Sequence, residues 1–352
     1  MAKIDYIIVG QGLAGTLLAH DLLDANQKIL IISKDHPAMA SKVAAGLFNP
    51  VSIKRCIRSW NADLFLPFAV KRYRELEEKM SASFLNEKPI YRLFANNDNR
   101  TQWEVKYSNE DMSDYISGFG PSNTNSYLQD RFGGATIKRS GNLLVQKFLS
   151  CSKDFFQSND ILLSEEFDFN SLDAEQASYK GFQAKKIIFC EGFRVINNPL
   201  FNWLPLTPTK GEVLTIRIPE KEQMDKIISK GVYIIPLGDF LYIVGSTFHR
   251  NDWDDVVTEE GVNYLKDKLD GILDTEYFII NAKAGVRPTT KDRKPMLGAH
   301  PKHSKMTLFN GLGTRGVIQG PYLSTNFAHF LTKGTKITKH TDIQRFISSY
   351  SG

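Results

Sequence analysis

The sequence predicts an α/β fold: a Rossmann-like nucleotide-binding domain joined to a second domain. Three observations carry that expectation. An apolar run, Ile4 to Val9, leads into Gly10, Gly12 and Gly15 in G-x-G-x-x-G spacing and directly on into a second apolar run, Leu13 to Leu23. Strand-type and helix-type runs alternate through the rest of the sequence. The length, 352 residues, is more than one hydrophobic core usually organises.

The opening strand, glycine turn and helix form the layout that receives a dinucleotide pyrophosphate, because a helix N-terminus offers unpaired N–H groups and the positive end of its dipole. Gly10 serves the tight turn, Gly12 the close approach of phosphates and Gly15 the packing of helix on strand, with Leu13 and Ala14 between them. A second strand, Lys28 to Ser33, completes the unit. Where such units often place an acidic residue on the adenosine ribose, this chain has Ser33 and Lys34, then Asp35. The first pair suits the additional phosphate of NADP and Asp35 suits a ribose after a shift in register, so spacing leaves both open.

Farther along, helical periodicity runs from Phe65 through Ala69, Tyr73, Leu76 and Met80, and again from Leu143 to Phe148. Strand-type runs fall at Ile90 to Phe94, Val213 to Ile218, Val232 to Ile235 and Leu241 to Val244. Residues 96 to 125, rich in Asn, Asp, Ser and Gly, read as a loop-rich excursion with room for a short element in WEVKYSNEDMSDYI. The charges of KRYRELEEK, Lys71 to Lys79, read as a solvated helix face, and Cys190 as the buried end of a strand.

Composition narrows the function classes. Hydrophobic residues make up 42% of the chain, enough for packed cores, and a net charge of +5 neither requires nor excludes a polyanionic partner. No apolar stretch reaches the ~18 residues of a membrane span, and with the nucleotide motif beginning at residue 4 a cleavable leader is not expected, which suggests the cytoplasm. Three scattered cysteines, Cys56, Cys151 and Cys190, make neither a disulfide framework nor a zinc cluster, and His249, His300 and His303 lack metal-ligand spacing and read as surface or loop residues.

From residue 284 the chain reads AGVRPTTKDRKPMLGAHPKHSKMTLFNGLGTRGVIQGP. Its G-x-R-P segment, the following D-x-x-P-x-x-G and the glycine-rich turn with T-R-G before a last helix resemble the FAD-dependent amine and amino-acid oxidoreductases of the D-amino-acid oxidase (DAO) type, glycine oxidase and its relatives. SKVAAGLFNP from Ser41 resembles the loop that this family wraps along the flavin, and LPLTPTKGEVLTI from Leu204 its entry into the substrate-domain sheet. The resemblance implies a glutathione-reductase-like FAD domain assembled from residues 1–55, 130–205 and 285–352, and a substrate domain with a mixed sheet from 56–129 and 206–284, the two interleaved along the chain.

It also implies non-covalent FAD, since no cysteine lies in Lys283 to Pro288, and a flavin site formed by Gly10, Gly12, Leu13, Ala14, Gly15, Ser33, Lys34, Ala40, Ser41, Ala45, Gly46, Leu47, Phe167, Gly192 and the turn Gly313, Thr314, Arg315, Gly316, Val317 and Ile318. The expected partner is a small carboxylate-bearing amine or amino acid, held by Arg287 with help from Tyr233, while Thr314 and Arg315 face the reaction. A guanidinium suits that task because its planar fork stays charged and matches a carboxylate; the competing reading of Arg287 is an interdomain salt bridge. Thr314 stands where glycine oxidase has a second substrate-binding arginine, with Arg315 one place later. GLGTRG is also similar to the oxidoreductase domain of the enzyme that trims carboxymethylaminomethyl from tRNA wobble uridine, with KRCIR, Lys54 to Arg58, as a possible phosphate patch. Nucleic acid ranks below a small molecule, since no extended basic stripe accompanies that patch. A non-catalytic flavoprotein and an NADP-dependent dehydrogenase are the remaining alternatives.

Overall fold

A computed structural model describes residues 2–36, 38–109, 112–121, 126–219, 224–250 and 252–350. Residues 110–111 and 122–125 of the loop-rich excursion lie outside the described residues.

The predicted opening strand forms over Tyr6–Val9 and runs parallel to Ile29–Ile32 on one side and Lys186–Phe189 on the other. Leu162–Leu163 and Met306–Asn310 extend this parallel sheet, and Met296–Ala299 closes it antiparallel, giving six strands. Ile8, Ile31 and Ile188 point into one core with Leu18, Leu22 and Phe327, while Ile7, Leu30 and Ile187 point into another with Phe189 and Phe201. Both faces are therefore covered, which is why these strands read as continuous apolar runs.

The second sheet has eight strands, in the order Phe278–Arg287, Thr209–Arg217, Leu241–Gly245, Val232–Gly238, Ile227–Lys230, Ile90–Leu93, Gly134–Ile137 and Ile116–Gly120. Its neighbours are antiparallel except Ile227–Lys230 beside Ile90–Leu93. Helix Glu259–Asp270 packs Leu265 and Leu269 on one face with Leu214, Ile216 and Tyr242. Gly134–Ile137 belongs to this sheet, although the sequence division counts residues 130–205 with the nucleotide part.

The last helix, Gly316–Lys333, lies along the first, Leu13–Asp24. A Cβ on Gly316 would come 3.1 Å from Leu13 Cδ2, so the missing side chain lets the two ends of the chain pack together. Between them and the helix Ala62–Met80, Tyr73 donates its hydroxyl to the Val317 carbonyl at 2.9 Å.

Several local expectations shift. Residues 96 to 109 hold a 13-residue helix, Asn97–Asn109, which includes the start of the segment expected to have room for a short element and begins six residues before it. It is polar nearly all round and anchors through one buried residue, Trp103, edge-on to Phe94, so periodicity has little to register. Leu143 ends a short strand, Gly141–Leu143, and the helix follows over Val145–Ser158. The Lys71 to Lys79 face is not merely solvated: Arg72, 13% exposed, pairs with Asp21 at 2.7 Å and Asp24 at 2.6 Å on the first helix, and Glu77 accepts from the Phe84 and Leu85 amides. His300, expected on the surface or in a loop, lies in a loop but is buried, edge-on to Phe201 and Tyr350, with Nδ1 accepting from the Lys302 and His303 amides.

Candidate active site

A single cavity of about 850 Å³ reaches from the N-terminal glycine turn to the edge of the eight-stranded sheet. At one end, Gly10, Gly12, Leu13, Ala14, Ser33 and Lys34 line it. Gly10 has φ +106°, and a Cβ there would lie 2.5 Å from the Cys190 carbonyl oxygen, so only glycine fits the turn. Gly15 does not line the cavity; it seats the helix on the strand, as its place in the motif predicts. The first helix has Gly12 at its N-cap, no cap side chain and no acid in its first turn, which leaves its positive end to an anion. Ser41 Oγ takes the Leu13 amide at 3.2 Å and Ser33 Oγ the Gln11 amide at 3.1 Å, tying both predicted serines to the turn.

The central wall combines Ala40, Ser41, Ala45, Gly46, Leu47, Phe167 and Gly192 with the turn Gly313–Arg315 and the first residues of the last helix, Gly316, Val317 and Ile318. That helix also has neither a capping side chain nor an acid in its first turn. Thus two helix N-termini without a capping side chain of their own open on one cavity, the first with its Leu13 amide taken by Ser41. Asp35 lies elsewhere, paired with Lys42 at 3.4 Å and Lys153 at 3.3 Å, so it is engaged away from this cavity. The carboxylates along the wall also have partners: Glu165 meets Lys180, Glu166 meets Arg194 and Glu191 accepts from Asn198. Burial raises the Glu191 carboxyl to about 7.

At the far end, Arg287 finishes strand Phe278–Arg287 and points across strand Thr209–Arg217. Its Nη2 donates to Ser246 Oγ at 2.6 Å and its Nη1 to the Lys210 carbonyl at 3.4 Å. Among the described residues it has no carboxylate partner, so the interdomain salt bridge does not form. Burial lowers the guanidinium to about 10, and it remains charged at neutral pH. The guanidinium lies flat on Gly211, where a Cβ would come 1.9 Å from Nη2. Tyr233 faces Gly245 in the register of the adjacent strands, one residue before Ser246, and its hydroxyl bonds Asn49. Arg315 lines the same end, also without a carboxylate; burial and the charges of Arg55 and Arg293 lower its affinity for a proton. Thr314 lines the wall and is exposed.

Sequence reasoning missed Gly211, Ser246, Asn49 and Lys210. A glycine inside a strand-type run was the available signal for Gly211, since it marks a close approach. Lys210 carried none: it is 1% exposed and clamps Asp252 at 2.8 Å and Asp254 at 2.6 Å, which holds the segment following Ser246. KRCIR divides: Lys54 lines the cavity, Arg55 stands beside Arg315, and Arg58 pairs with Asp63 at 2.9 Å.

Against known families, the DAO family, described as FAD dependent oxidoreductase, matches residues 5–329. The chain belongs to the DAO family of FAD dependent oxidoreductases. This DAO-family chain is 23% identical over 374 residues to the bifunctional protein ThiO/ThiG of Trichormus variabilis, a match covering 97% of the chain and 55% of that relative. It therefore spans about half the length of that curated protein. Among solved structures, glycine oxidase from Geobacillus kaustophilus superimposes with a TM-score of 0.79 at 18% identity over 98% of both chains. Iminodiacetate oxidase from Chelativorans sp. BNC1 does so at 0.79 and 19%, covering 97% of this chain and 98% of that one. These likenesses show the fold. Membership answers the nucleotide question left by Ser33 and Lys34 in favour of FAD over NADP, and the elongated cavity with its two uncapped helix N-termini fits such a group. Among the described residues no helix is long and apolar enough to cross a membrane, and no group of three or more His, Cys, Asp or Glu could hold a metal ion.

Proposed function

We propose that this protein is a cytoplasmic flavoenzyme that oxidises the C–N bond of a small carboxylate-bearing amine or amino acid. The observation that carries this reading is Arg287: a half-buried guanidinium without a counter-ion among the described residues, lining a cavity shared with both helix N-termini. An unpaired charge held away from water costs several kcal/mol, so a carboxylate brought by the substrate is the natural complement.

In this reading the N-terminal turn holds the pyrophosphate, the segment Ala40 to Leu47 flanks the flavin, and residues 313–318 present N–H groups where negative charge grows on reduction. FAD, when bound, accepts the hydride that leaves the substrate's Cα and later passes both electrons to an acceptor from solution. Arg287 grips the α-carboxylate and Tyr233 adds its hydroxyl, fixing the Cα–H. Ser246 and the Lys210 carbonyl keep the guanidinium in its plane. The substrate nitrogen gives up a proton to solvent as the hydride departs, and water then cleaves the imine to an oxo acid and an amine. No protein base is required, in keeping with a cavity whose carboxylates are all engaged.

The test is anaerobic mixing of the purified yellow protein with glycine, sarcosine, proline and D-amino acids. Bleaching of the flavin by at least one of them is expected. A flavin that none of these reduces would contradict the enzymatic reading.

A further inference from the structure

Arg287 is not the only unneutralised cation at the substrate end. Arg315 is half-buried on the same cavity, and the groups that act on it electrostatically are Arg55, Arg293 and Tyr233, none of them a carboxylate. The nearby Asp292 is bound to Arg345 at 2.8 Å, and Lys294 sits over the Trp60 ring at 3.3 Å. Every carboxylate on the cavity wall is also held by a partner of its own, as described above. Tyr233 lies between these groups in the sheet: it faces Gly245, next to the serine that binds Arg287, and its phenol feels the charges of Arg92 and Arg315. A monocarboxylate would satisfy Arg287 and leave Arg315 desolvated and unpaired, which is the costly arrangement.

We infer that the substrate is a dicarboxylic amine, its α-carboxylate on Arg287 and its second carboxylate on Arg315, with the C–N bond between the two beside Tyr233. This rests on the flavoenzyme reading above and specifies its substrate class. The second carboxylate can lie across the nitrogen, as in iminodiacetate, or on the same carbon skeleton, as in aspartate. In the first case the products are glyoxylate and glycine; in the second, oxaloacetate and ammonia. Each oxidation delivers one hydride, which carries both electrons, to FAD and releases the nitrogen's proton to solvent, with water supplying the oxo oxygen.

The experiment uses FAD-loaded protein under anaerobic conditions and compares iminodiacetate with sarcosine, and D- and L-aspartate with D- and L-alanine, by the rate and concentration dependence of flavin bleaching. At least one dicarboxylate should exceed its monocarboxylate partner by about 10-fold or more in reduction rate over Kd, the scale of a charge-assisted hydrogen bond. Whichever pair shows the preference identifies where the second carboxylate lies. Arg315→Gln should bring that ratio to near one, mainly through Kd, because the dicarboxylate loses far more than its monocarboxylate partner; Arg315→Lys should keep part of the preference. As a readout without turnover, diglycolate should perturb the flavin spectrum at lower concentration than methoxyacetate in the wild type but not in Arg315→Gln. A wild-type ratio near one in both assays overturns the inference while leaving amine oxidation intact. Equal losses for mono- and dicarboxylates in Arg315→Gln also overturn it, by assigning Arg315 to the flavin. If no amine bleaches the flavin, the flavoenzyme reading fails separately, and the diglycolate comparison still decides whether two anions are recognised.

Discussion

The two ends of the cavity are built by opposite means. Around Gly10 and Gly12 the wall is backbone, shaped by missing side chains and the bare start of a helix. Around Arg287 it is side chain: two guanidinium groups, a phenol and a serine drawn from separate strands and from the turn before the last helix. Backbone recognition demands a local spacing and tolerates no added atom. Side-chain recognition depends on which strands the fold sets side by side and can be dismantled one group at a time.

Substitutions at the two ends should therefore fail differently. Gly10→Val imposes a side chain at φ +106° with its Cβ against the Cys190 carbonyl, and we expect loss of FAD together with destabilisation of about 3 kcal/mol or more, read from flavin retention and urea unfolding. Retention of tightly bound FAD by that variant would break the contrast. Arg287→Ala should keep its FAD and lose roughly 2 to 5 kcal/mol of substrate interaction, seen as a collapse of anaerobic bleaching. Equal bleaching would remove Arg287 from the site.

A third difference lies in acid sensitivity. The nucleotide-binding half buries His300, which its surroundings hold near pKa 4 because burial disfavours the imidazolium. Below about pH 6.5 the unfolded chain takes up a proton that the native site resists, so this contribution to stability is present above pH 6.5 and is lost as the pH falls toward 4. His300→Asn, which can still accept the Lys302 and His303 amides, should remove about 1 to 3 kcal/mol of that pH dependence. Thermal midpoints of variant and wild type measured across that range should converge toward pH 4. A parallel pair of curves would contradict it. The smallest effect belongs to Ser246→Ala, which removes one hydrogen bond to a guanidinium already backed by Gly211 and the Lys210 carbonyl. A loss of about 0.5 to 1.5 kcal/mol in substrate affinity is expected from titration, with FAD binding untouched.

How much could be read beforehand follows the same division. Gly10, Gly12 and Gly15 sit in one six-residue window, and the strand and helix around them are set by local apolar runs, so that end was legible. Arg287 and Tyr233 were found through the likeness of the G-x-R-P and strand segments to a family, whereas Ser246, Gly211 and Asn49 were not. Their importance comes from the register that places Gly211 opposite Gly285 and Tyr233 opposite Gly245. The helix Asn97–Asn109 was legible only as room for a short element from Trp103 on, because Trp103 is buried without an apolar stripe around it. The charges of Arg72 and Glu77 looked solvated because their partners, Asp21 and the Phe84 amide, lie on other elements.

By itself the sequence determined the nucleotide turn, the strand and helix that flank it and the family, all of which depend on contacts between residues close in the chain or on contiguous motifs. Only the tertiary structure decided that Arg287 and Arg315 share a cavity without a carboxylate to neutralise them, and that Asp35 is engaged elsewhere. Charge balance inside a protein is a sum over neighbours in space, and no spacing along the chain records it.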